Sequence, residues 1–180
     1  YFIVPILLLF LAQGNILAQG NCLLYPENSG ERIACELSYR AIEYRQGSKE
    51  SQILFDAAIE VGPRYAWAYY EKSVPFFKRG LFNEAVTILN NAIVLEPENY
   101  LCYRAYWYFS QRSYLACISD LERYYFALNG PLRSTPGGDM EMKMQLGMAY
   151  ALTNNIGKAI KVVSEGISSY EAEGFFLGAF

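Results

Sequence analysis

Histidine is absent from the 180 residues of this chain. That one absence removes His-based nucleophile triads, His metal ligands and imidazole proton shuttles. Charge is scarce: only 18% of residues are Asp, Glu, Lys or Arg, the net charge is −3 and the pI is about 5.1. Phosphate backbones are held by clustered Lys and Arg, so this balance speaks against a nucleic-acid partner. Gly137-Gly138 stands alone rather than inside a phosphate-binding loop. GxSxG, HExxH and EF-hand spacings are missing. The cysteines, Cys22, Cys35, Cys102 and Cys117, form no CxxC pair, and without histidine the usual zinc patterns fail. Glu96 and Glu98 flank Pro97 as ordinary charges in a turn. The sequence therefore assigns no catalytic, cofactor-binding or metal-ligating residue, and it predicts a binding protein rather than an enzyme.

Apolar residues, by contrast, make up 53% of the chain, and tyrosine alone occurs 16 times. A chain this apolar has a core to bury. Tyrosine packs an apolar ring while keeping a polar tip, which suits both cores and wet interfaces. Residue 1 is Tyr, so the chain is expected to begin inside a longer precursor or to be a fragment. Residues 2–12 (FIVPILLLFLA) are nearly all apolar. A run of ~11 residues is too short for a membrane-spanning helix and has the length of a signal-peptide core. Ala18-Gln19-Gly20 places small residues for cleavage after Gly20, with Ala12-Gln13-Gly14 as an earlier candidate. Residues 1–20 are read as a signal peptide, 21–30 as a linker and 31–180 as the folded domain. Export to the periplasm or cell envelope follows. Membrane association would then come only through the signal segment or a lipid on Cys22, although Gln19 and Asn21 match a lipobox poorly. Cys102 and Cys117 read as small buried residues, with disulfide pairing as the alternative in an oxidising compartment.

The strongest signal is an internal period of about 34 residues. Residues 66–99 carry two helical patterns joined at Arg79-Gly80 and closed by Pro97. Residues 141–173 repeat the plan, with Leu146, Gly147 and Tyr150 on a first helix and a polar turn at Asn154-Asn155 before Ala159. Weaker units span 31–65, ending in Ala58 and Pro63, and 100–129. Between the last two units, residues 129–139 form a Pro- and Gly-rich loop, either a binding element or an edge insertion. Pro75, inside a first helix, should cost about 3 kcal/mol there unless the helix kinks or restarts. Met140, Met142, Met144 and Met148 read as a mixture of core and surface.

This pattern resembles the tetratricopeptide repeat, in which Leu-Gly and Tyr on one helix face a small residue, a large residue and a closing proline around the next. The matching residues are Tyr69, Ser73, Phe76, Gly80, Phe82, Ala85, Leu89, Ala92 and Pro97, then Leu146, Gly147, Tyr150, Ala159 and Val163. In the first unit Tyr39 and Ser51 depart from the small-residue pair. In the third Trp107 falls where glycine belongs, which predicts wider helix packing. The resemblance implies an all-α fold, a right-handed superhelical stack of antiparallel helix pairs, whose first helices line a concave face that holds a protein or peptide. It places Arg40, Trp67, Tyr70, Phe77, Lys78, Arg104, Tyr108 and Arg112 on that face, aromatic and basic types that dominate interface energies. The Asn of a carboxylate clamp is replaced by Glu71, Ala105 and Gln145, so that activity is not implied. The alternative is an accessory repeat domain of a larger enzyme or secretion machine.

Overall fold

The computed structural model describes residues 21–138 and 140–172. The expected signal segment, 1–20, lies outside the described residues. Within them the chain is all-helical. The helices are α1 (Gly30–Ile42), α2 (Lys49–Val61), α3 (Ala66–Lys78), α4 (Phe82–Leu95), α5 (Pro97–Ser110), α6 (Tyr114–Glu122), α7 (Met142–Leu152) and α8 (Ile156–Ala172). They form four hairpin-like pairs, and each pair packs on the next.

Local sequence sets the boundaries. Ser29 and Ser48 accept hydrogen bonds from the backbone N–H groups of Arg32 and Ser51, capping α1 and α2. Pro97 opens α5, where a missing N–H costs nothing. Three of the four pairs share one turn. Gly80, Arg112 and Asn154 take positive φ of 78°, 58° and 62°. The next N–H reaches back to the carbonyl five residues earlier: Leu81 to Phe76, Ser113 to Tyr108, Asn155 to Tyr150. The first pair instead uses a longer turn, with Gly47 at φ 76°.

Counting from these turns corrects the expected register. Seven residues before the turn residue stand Ser73, Ala105 and Gly147, all buried. Five residues after it stand Ala85, Cys117 and Ala159, also buried. The small residue of the third pair is therefore Ala105, not Trp107, and that pair needs no wider packing. The third unit begins at Pro97 rather than residue 100. Its turn was invisible in the sequence because Arg112 occupies the left-handed position that Gly80 and Asn154 mark elsewhere. In the first pair the buried small residues are Ser38 and Ser51, while Tyr39 faces the second pair. The closeness of the crossings shows at Gly147: a Cβ there would stand 2.3 Å from Val163 Cγ2 and 3.5 Å from the Ala159 carbonyl oxygen.

Pro75 does not restart α3, which runs unbroken to Lys78. Its buried ring fits against Gly47, where a Cβ would approach Pro75 Cβ to 2.6 Å. Arg79 Nη2 donates to the Gly47 carbonyl at 2.7 Å, fastening the same contact. Residues 129–138 belong to an anchored connection. A short π-helical stretch, Arg123–Ala127, turns both Tyr124 and Tyr125 inward. Tyr124 Oη donates to the Pro131 carbonyl and Tyr125 Oη to Glu141, and Glu141 caps α7. The methionines divide, with Met142 in the core and Met148 exposed.

Residues 21–30 are not a free linker. A 3-10 turn, Cys22–Leu24, is joined to α1 by a Cys22–Cys35 disulfide, and Tyr25 meets Tyr65 edge-on. The disulfide takes the thiol that a lipid would need, so lipidation at Cys22 is incompatible with this structure. Cys102 and Cys117 are buried and unpaired with each other. Among the described residues, no helix is long and apolar enough to cross a membrane.

Replacing Ala105, fully buried, tests the corrected register. Ala105→Leu is expected to overpack the third pair and cost roughly 1–3 kcal/mol in urea unfolding. An unchanged midpoint would show that α5 and α6 do not cross there.

Candidate functional site

Small residues occupy the crossings inside each pair, and several large rings meet at the seams between pairs. Tyr39 of α1 stacks on Trp67 of α3 at 5.0 Å. Tyr70 of α3 meets Tyr103 of α5 at 4.5 Å and Tyr100 at 5.3 Å. Phe77 of α3 stacks on Trp107 of α5 at 4.7 Å with planes 3° apart. Burial raises the Tyr70 and Tyr100 hydroxyls well above their ordinary range, so these tyrosines stay neutral.

The predicted surface residues divide accordingly. Phe77 is only 3% exposed, so it presents no free ring, contrary to expectation. Trp67 and Tyr70 are half-buried in separate seams. Arg104 is engaged inside the protein: its Nη2 and Nε donate to Asp120 at 2.6 and 2.8 Å, and its Nη1 to Asn90 at 2.5 Å. The guanidinium also covers the Tyr108 ring, 5.6 Å from its centroid. Burial pushes the Asp120 carboxyl upward, against the pull of Arg104, which makes the pair a structural clamp. Lys78 is exposed and donates to Gln46 at 2.5 Å. Arg112 and Arg40 are exposed.

What the fold does assemble is a groove of about 460 Å³ where the second pair meets the third. Phe77, Phe82, Val86 and Trp107 give it apolar walls; Asn83, Thr87, Tyr108, Gln111 and Ser113 give it a polar edge. Phe77 is its buried floor, and Tyr108 belongs to it. Arg112 sits between two lining residues in sequence, and Lys78 follows the floor residue. The sequence did not single out Phe82, Asn83, Val86 or Trp107 for binding, because their convergence depends on the Phe77–Trp107 stack across two pairs.

The groove holds no nucleophile–base arrangement among its lining residues. Elsewhere, burial pushes the Cys102 thiol up to about 12 and the Cys117 thiol up to about 11, which leaves both protonated and unreactive. Among the described residues no group of three Cys, Asp or Glu side chains is placed to hold a metal.

Removing Arg104 is expected to act on stability before binding. Its side chain is 18% exposed and that of Asp120 is 6% exposed. Arg104→Ala leaves a buried, unpaired carboxylate and should cost roughly 3 kcal/mol. A urea midpoint equal to the parent's would return Arg104 to the list of surface residues. The chain matches no family model, no curated protein and no solved structure.

Proposed function

We propose that this chain is an exported protein- or peptide-binding scaffold, a tetratricopeptide-like superhelical stack that docks its partner in the groove between the second and third helix pairs. The observation that carries the reading is the groove itself. Its apolar walls meet at a stacked Phe77–Trp107 floor, with exposed amides and hydroxyls along the edge. Such a cleft can desolvate one large side chain and hydrogen-bond the backbone that carries it. The recurring turn and the small residues counted from it support the repeat assignment. As part of this reading, the protein needs no cofactor and catalyses no reaction.

A peptide library displayed on phage and panned on the full-length chain tests the docking site. Thr87 is exposed on α4 at the groove, so Thr87→Tyr fills the cleft without removing a core side chain. Enriched peptides should bind this variant at least about tenfold more weakly, a loss of ~1.4 kcal/mol. Peptides that bind parent and variant alike would place the docking surface elsewhere, and the reading would fall.

Export is supported by the Cys22–Cys35 disulfide, since disulfides persist mainly in oxidising compartments. The protein recovered from its native cells should begin at or near Asn21. Recovery of residues 1–20 intact in a soluble cytoplasmic pool would overturn export.

A further inference from the structure

We propose that the groove selects an acidic apolar segment: one large apolar side chain on the Phe77–Trp107 floor, with a neighbouring carboxylate held by Arg112. This rests on the groove being the docking site, and it adds the chemistry of the partner.

The lining fixes the apolar half. Phe77, Phe82, Val86 and Trp107 converge on a space of about 460 Å³, open to solvent and large enough for one such side chain and its flanking backbone. Along the edge, Asn83, Gln111 and Ser113 are exposed, and their side chains make no hydrogen bond among the described residues. They suit the amides of an extended peptide better than a lipid chain.

Charge fixes the other half. No carboxylate lines the groove. Glu84, beside Asn83 in sequence, is the only carboxylate adjacent to any lining residue, and it does not line the groove itself. The flanking cations are Lys78, next to Phe77, and Arg112, between Gln111 and Ser113. Lys78 is bonded to the neutral amide of Gln46, and its charge also acts on the buried Glu71 carboxyl, so Lys78 is partly offset. Arg104, the other cation of this region, is committed to Asp120. Arg112 is exposed, and its side chain has no ion pair or hydrogen bond among the described residues. A guanidinium with all its donors free takes a carboxylate in two parallel hydrogen bonds, which a lysine or an amide does not. Arg112 also stands where the equivalent turns carry Gly80 and Asn154. An arginine there adopts a left-handed backbone, φ 58°, that non-glycine residues take uncommonly.

The test uses the full chain with Trp67→Phe, which leaves Trp107, in the groove wall, as the sole tryptophan. Three synthetic peptides share one central phenylalanine and differ only in its neighbours: aspartate and glutamate, their amides, or lysines. Trp107 emission reports binding. The acidic peptide should bind about tenfold tighter than its amide twin, and the advantage should shrink with added salt. Arg112→Glu should abolish that advantage while helicity is retained. Thr87→Tyr should weaken the acidic and amide peptides together. Equal binding of acidic and amide peptides, or preference for lysine, would overturn the charge assignment while leaving the groove as the site. Acidic binding that survives Thr87→Tyr, or no binding by any peptide, would overturn both readings.

Discussion

The close crossing inside each helix pair governs the rest of the molecule. Ser38, Ser73, Ala105 and Gly147 on the first helices, with Ser51, Ala85, Cys117 and Ala159 on the second, are all buried. Small side chains at a crossing let backbones approach, and large ones are excluded from it. Among the described residues, several large rings stand instead at the seams between pairs, where the first helices meet through Tyr39–Trp67, Tyr70–Tyr103 and Phe77–Trp107. Packing within pairs thus decides the character of packing between them.

The seams are not alike, and the difference explains the groove between the second and third pairs. Between the first and second pairs, the longer turn carries Gly47 against Pro75, and Arg79 fastens it through the Gly47 carbonyl. Between the second and third pairs, Trp107 takes the position equivalent to Pro75, while the turn through Gly80 is tighter. One face of the Trp107 ring stacks on Phe77, and the groove lies beside Phe82 and Val86. The groove follows from one change in turn length and one in side-chain size.

Much of the helical plan was legible because its markers are local. Gly80 and Asn154 mark left-handed turns, Pro97 a helix start, and Ala85 and Ala159 the small crossing positions. The third pair was misread by two residues because its turn residue is Arg112, which carries no conformational signature in sequence. The candidate site was less legible for a different reason. The repeat resemblance placed Phe77 on the concave face but not its partner Trp107, which buries it. It likewise placed Arg104 there, yet the charge of Arg104 is spent on Asp120, sixteen residues away on α6. Periodicity reports which face a residue is on; it does not report what stands opposite.

The cysteines separate by the same logic of position. Cys22 lies on a 3-10 turn that packs against α1, and it reaches Cys35 with a Cα–Cα distance of 5.7 Å, within the usual range for a disulfide. Closing so short a loop restrains the unfolded chain and ties the Cys22–Leu24 turn to the first pair, where Tyr25 covers Tyr65. Cys117 is different: it fills the small crossing position that Ala85 and Ala159 fill elsewhere, and Gln145 Nε2 lies 3.6 Å from its sulfur. Cys102 is likewise buried. Burial holds both thiols protonated, and the thiolate is the form that exchanges with disulfides. In an oxidising compartment, the location proposed for this protein, the fold thus offers one pair of cysteines for bonding and withholds the other two.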